Sequence, residues 1–170
     1  MGIKRIQGSY VKSQSGSSSI SITRPDNTTA YTAGDVVGTS PAANLEFEDI
    51  LPEGAQNFYI TDAKIEVEKS SVPAGMSTFT LHLYDAAPTA IADNEAWTLL
   101  LADGGKYLGS IQFNTPVDLG TTLVYWKTGI NIKRKLATDS TSIYGQLVTD
   151  GAWTPASEDV INITLETVGA

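Results

Sequence analysis

The chain holds one histidine, His82, so any chemistry that needs an imidazole must use it. A Ser-His-Asp arrangement exposes its serine on a G-x-S-x-G turn, and no such turn occurs here. His82 sits at a polar position of an alternating run, where an exposed strand histidine is expected. The absence of cysteine excludes disulfides, thiolate zinc sites and cysteine nucleophiles together. Nineteen carboxylates could supply a hard-cation site or a glycosidase pair, but no Asp-x-Asp-x-Asp-Gly calcium loop is present. The stretch DGGKYLG, residues 103–109, lacks the upstream glycine and the following Ser/Thr of a phosphate loop, and reads as a turn entering a strand. The expectation is a protein that is not an enzyme, with no catalytic residue, no metal site and no cofactor.

Large aromatic side chains offer binding chemistry instead. Trp97, Trp126, Trp153, Tyr125 and Tyr144 could stack on sugar rings, although such rings more often fill a core and cover its ends. Trp126 follows Tyr125, so in a strand one of the two points outward. Trp153 lies in the loop-like stretch DGAWTPASED, residues 150–159. Trp126 and Trp153 are therefore the candidates for a sugar platform.

The elements that must position these groups are strands. Period-two alternation sets Ala63, Ile65 and Val67 against Asp62, Lys64, Glu66 and Glu68. It sets Phe79, Leu81 and Leu83 against Thr80, His82 and Tyr84, and Ile161, Ile163 and Leu165 against Asn162, Thr164 and Glu166. Tyr107, Ile111 and Phe113 are expected to share one face, and Ile130 and Ile132 another. One wet and one dry face per strand predicts antiparallel sheets packed face to face. Turn signals at Pro52-Glu53-Gly54, Pro73-Ala74-Gly75, Asp103-Gly104-Gly105 and Asp150-Gly151 separate the runs. The prediction is an all-β antiparallel β-sandwich, a jelly roll, with one short helix. That helix would be capped by Asp93 or Asn94, carry Trp97, Leu100 and Leu101 on one face, and stop at Gly104.

Charge divides the chain. Residues 1–24 hold Lys4, Arg5, Lys12 and Arg24 and no acid, which leaves seven bases against nineteen acids in the rest. An acidic body argues against nucleic acid as partner. No apolar run has the length of a membrane span, and Met1-Gly2-Ile3-Lys4-Arg5 lacks the apolar stretch of a signal peptide, so no membrane is expected either. The expected organisation is an extended basic Ser/Gly-rich arm, residues 1–17, followed by a single β-sandwich domain, residues 18–170. Such an arm suits a negatively charged partner and can order on binding.

The loop between them, residues 24–44, is rich in turn-forming residues. Pro25 fixes its own φ and extends Arg24, Asp26 and Asn27 favour Asx turns, and Gly34-Asp35 reverses the chain. Tyr31 is its one large ring and is expected to pack on the sandwich. Pro25, Asp26, Tyr31 and Asp35 mark a loop that covers a sheet edge or meets a neighbouring subunit.

Several phrases resemble segments of small tailed-bacteriophage and prophage structural proteins. These are TRPDNTTAYTAGDVVG (23–38), LHLYDAAPTAIADNEAW (81–97), YLGSIQF followed by PVDLG (107–120), and IYGQLVTDGAWTPAS (143–157). The resemblance runs from about residue 20 to the C-terminus and excludes the arm. It brings no catalytic residues. It implies a virion component, made in the bacterial host cytoplasm, of the capsid decoration (cement) kind. The implied partners are the major capsid protein and further copies of the chain, a homotrimer before a homodimer. On that reading Lys4, Arg5, Lys12 and Arg24 contact the head surface. A tail, baseplate or fibre component, or a carbohydrate-binding sandwich, is the alternative.

Overall fold

The computed structural model describes residues 15–51, 57–137 and 140–170. Its strands are β1 (Ser15–Thr23), β2 (Val36–Val37), β3 (Leu45–Phe47), β4 (Asn57–Val67), β5 (Phe79–Tyr84), β6 (Tyr107–Gln112), β7 (Val117–Asp118), β8 (Leu123–Lys127), β9 (Ile132–Lys135), β10 (Ile143–Thr149) and β11 (Val160–Gly169). One sheet runs β1-β11-β4-β8-β7, with β9 also on β4. The other runs β2-β10-β5-β6, with β3 also on β10. All pairings are antiparallel. Taking β2 with β3 and β8 with β9 as one strand each, and leaving the β7 edge aside, gives a nested hairpin. The first strand pairs the last, the second the seventh, the third the sixth and the fourth the fifth. That wrapped pairing is the jelly roll.

The inner faces follow the alternation. Ala63, Ile65 and Val67 of β4 meet Leu81, Leu83 and Phe79 of β5 in one core with Phe47, Tyr125, Ile143 and Leu147. A bulge at Thr61 lets β4 keep both Ile60 and Ala63 inside, because one extra residue reverses the side-chain parity. A second bulge, at Leu108, has the opposite consequence for the face expected of Tyr107. Ile111 and Phe113 are inward, but the register shift between Leu83 and Tyr84 turns Tyr107 to the outer face, where its hydroxyl meets His82 Nδ1 at 3.0 Å.

That outer face is covered. Residues 85–106 form a strap that crosses the five-stranded sheet before entering β6. The strap lies beside β2, with Val36 N donating to Glu95 O, Asn94 N to Val36 O and Trp97 N to Gly34 O. The predicted helix is absent because these backbone groups bond across to residues 34–39 rather than along a helix, and Asn94 adopts φ 63°. One 3-10 turn, Leu101–Asp103, takes its place. Trp97 faces the sheet and donates its indole N–H to Gln146 Oε1 at 3.1 Å. Beneath the strap His82, Tyr84, Gln146 and Val148 are buried. The expected exposed histidine is thus a buried one, since alternation cannot show that a second layer covers the outward face.

Residues 15–17, which composition assigns to the arm, pair with residues 166–168 as the start of β1. Residues 1–14 lie outside the described residues. No described helix is long and apolar enough to cross a membrane.

Candidate functional site

The proline-led loop is fastened by an ion pair. Arg24 is 2% exposed, not at the surface as a capsid contact would require. Its Nη2 donates to Asp93 Oδ2 at 2.7 Å and its Nη1 to Ala156 O at 3.1 Å, while Nε bonds the Tyr31 hydroxyl. Tyr31 in turn donates to Asp93 Oδ1, which also accepts from Gly38 N at 3.1 Å. Burial alone would lower the Arg24 pKa, but the bond to Asp93 and the neighbouring Tyr31 outweigh it and hold it above the ordinary value. Burial, reinforced by Asp93, pushes the Tyr31 hydroxyl well up. Arg24 is therefore a permanent internal cation that joins the loop to the strap.

The loop's other marked residues divide. Tyr31 is buried against Trp153, with ring centroids 5.3 Å apart. Asp35 is buried and accepts from Thr32 N at 2.6 Å and Thr32 Oγ1 at 2.9 Å. Asp26 is exposed, Pro25 half-buried. Tyr31 and Asp35 are consequently fold residues, and only Pro25 and Asp26 face a possible neighbour. Lys4, Arg5 and Lys12 lie outside the described residues.

The sugar platform does not assemble. Trp153 is 2% exposed and donates its indole N–H to Thr149 Oγ1 at 3.1 Å, whereas Trp126 is 48% exposed on the outer face of the six-stranded sheet. Lys64 Nζ stands 5.5 Å from the Trp126 ring centroid and also pairs with Glu66 at 3.2 Å.

The feature that stands out is apolar and outward. Leu99, Leu100 and Leu101, consecutive on the strap, are 36%, 44% and 98% exposed. Three consecutive exposed apolar residues are a pattern that a free surface avoids unless it has a role. The turn that follows the ridge is tied to the start of the strap. Asp103 accepts from Thr89 N at 3.0 Å and Lys106 Nζ at 2.8 Å, and Lys106 also donates to Ala87 O at 2.8 Å. The bond from Lys106 and that from Thr89 hold the Asp103 carboxyl at about 2, well below its usual range. Helical spacing set Leu100 and Leu101 on one face with Trp97. The signal against it was the unbroken Leu-Leu-Leu run, which has no polar position between its members.

A basic strand, β9, touches β6, the strand into which the leucine segment leads. The turn after Leu101 leads into β6, whose Leu108 carbonyl accepts from Arg134 of β9. Lys133 and Lys135 of β9 are exposed. Among the described residues the ion pairs use Arg24, Lys64, Lys69 and Lys106, so Lys127, Lys133, Arg134 and Lys135 have no acidic partner there. Ser15, Val168, Tyr59 and Lys133 form one row across the sheet, which puts the junction with residues 1–14 about 14 Å from β9 at ordinary strand spacing. Exposed leucines on the strap and exposed lysines on β9 are groups that can bind a partner.

No protein-family model matches the chain, and no curated protein matches it. Among solved structures it is similar to the cyanophage Pam1 capsid asymmetric unit, at 14% identity over 94% of this chain and 86% of that one, with a TM-score of 0.34. Tomato aspermy virus gives 16% identity over 90% and 76%, TM-score 0.32. Sacbrood virus of honeybee in expansion state II gives 11% over 89% and 81%, TM-score 0.30. Scores of this size leave the fold assignment to the strand pairing itself and assign no family.

Proposed function

We propose that this chain is a phage capsid decoration protein, which binds the outer surface of the head and ties neighbouring capsid subunits together. The observation that carries the reading is the uncovered Leu99–Leu101 ridge on the strap. The resemblance of residues 23–157 to phage structural proteins supports it. In this reading Lys4, Arg5 and Lys12, by their charge, contact the major capsid protein.

The mechanism is linkage. A protein that binds only the mature shell stabilises that state by its binding free energy. Modest single contacts suffice where one molecule or oligomer engages several sites, because the later contacts form at high effective concentration.

Co-sedimentation with heads stripped of this protein tests the reading. The triple variant Leu99→Ser/Leu100→Ser/Leu101→Ser should keep its strand circular dichroism and lose at least about tenfold in head affinity, as expected for several apolar anchors removed together. Unchanged binding by the folded variant would contradict the role given to the ridge.

A further inference from the structure

Every open sheet has two edges, and an exposed edge presents unpaired N–H and C=O groups to any strand that approaches. Three of the four edges here are guarded. The edge opposite β1 is divided between β7, two residues long, and β9, four residues long and carrying Lys133, Arg134 and Lys135. The β2/β3 edge is interrupted between Val37 and Leu45, and the strap bridges it at Asp35 and Ala96. The β6 edge carries the Leu108 bulge, and Arg134 occupies the Leu108 carbonyl.

The β1 edge has none of these devices. It is nine residues long, reads SGSSSISIT, and contains no charge, no proline and no register shift against β11. Among the described residues no backbone group bonds to its outer side. Which groups point there follows from the register. Arg24 N donates to Asp159 O at 3.0 Å, in line with the pairing of Thr23 to Val160, so the even-numbered residues of β1 bond to β11. The odd-numbered residues Ser15, Ser17, Ser19, Ser21 and Thr23 therefore turn their N–H and C=O groups to the free edge. Their side chains are all exposed. Pro25, next in this series, has no N–H and ends the edge.

We propose that two copies of this chain pair β1 against β1 about a twofold axis at Ser19, joining their six-stranded sheets into one. The edge is complementary to itself in this register. Ser19 meets the partner's Ser19, Ser17 the partner's Ser21, and Ser15 the partner's Thr23. About ten backbone hydrogen bonds form, since each such pair exchanges two. Outward side chains meet outward ones, as a continuous sheet requires, whereas a one-residue slip would set serine against core-facing Ile20 and Ile22. A second copy suits the edge because the strand offers no charge or large side chain for an unlike partner to read. Pairing of identical antiparallel strands is isologous, so the unit is a dimer, not the trimer that the phage resemblance implies. The inference rests on β1 alone, and head binding by the leucine ridge stands or falls separately.

Sedimentation velocity on the full chain at micromolar concentration tests it. The expected species has twice the 18.1 kDa chain mass. Ser17→Lys with Ser21→Lys places like charges opposite each other at two points and should give a folded monomer with unchanged strand circular dichroism. Ser17→Lys with Ser21→Glu places opposite charges there and should restore the dimer. A wild-type monomer at all concentrations would overturn the proposal, as would a Lys/Lys variant that remains dimeric. Equal behaviour of the Lys/Lys and Lys/Glu variants would overturn the Ser19 register.

Discussion

Trp97 lies flat on His82, with ring centroids 3.6 Å apart and 14° between the planes. The contact joins the strap to the five-stranded sheet and gives the sandwich a third layer. Burial under that layer lowers the His82 pKa to about 4, despite the nearby Asp150 carboxylate, so the ring is neutral in the folded protein at neutral pH.

Acid should therefore loosen the strap. In the unfolded chain His82 takes up its proton near the ordinary value of 6.5, in the folded chain only near 4. Between these values the unfolded state binds more protons, so the stabilisation is complete above 6.5 and is lost as pH falls toward 4. The loss amounts to at most about 3 kcal/mol by linkage. Urea unfolding at pH 7 and pH 4.5 should show a smaller drop for His82→Gln than for wild type. Equal drops would mean that the acid sensitivity lies in the carboxylates.

The Arg24–Asp93 pair should be strongly coupled. Arg24→Met strands a buried carboxylate, and Asp93→Leu strands a buried guanidinium, each at a cost of about 3–5 kcal/mol. The double variant should cost clearly less than the sum, as a denaturation cycle will measure. Additive costs would show that the two charges do not depend on each other.

The two tryptophans of the sugar alternative should behave oppositely. Trp153→Ala removes a buried ring and the hydrogen bond to Thr149, and should destabilise by about 3–5 kcal/mol. Trp126→Ala, on the exposed face, should stay within about 0.5 kcal/mol of wild type. Thermal melts of both variants check this, and a stable Trp153→Ala would contradict the packing on Tyr31.

Two glycines with positive φ should separate backbone strain from crowding. Gly75 has φ 83° and an added Cβ would lie 1.8 Å from Ala152 O, so Gly75→Ala should cost above about 3 kcal/mol. Gly34 has φ 97° with open space around it, so Gly34→Ala should cost only about 1 kcal/mol. Chemical denaturation reads both, and equal costs would contradict the close approach at Gly75.

Alternation made the sandwich legible because residues 63–67 of β4, 79–83 of β5 and 161–165 of β11 each keep an unbroken core-facing row. It failed where a second constraint acted. The Leu108 bulge moved Tyr107 by a half-period that no local residue pattern announces. The strap took Arg24, His82 and Trp97 into polar or aromatic interiors, Trp153 was buried against Tyr31, and a lone sequence offers no sign that Asp93, 69 positions on, completes the Arg24 pair. Turn chemistry did show that residues 24–44 are ordered and that Tyr31 packs down. The leucine ridge was misread because Trp97, Leu100 and Leu101 have helical spacing, and spacing cannot reveal that residues 93–97 bond to a neighbouring segment.

The most direct test of the decoration role is the copy number of this chain in purified virions, measured by quantitative mass spectrometry against the major capsid protein. Occupancy of symmetry-related sites on the head predicts a ratio between about one-third and one per capsid subunit. A ratio of a few per hundred, or absence from the particle, would contradict it.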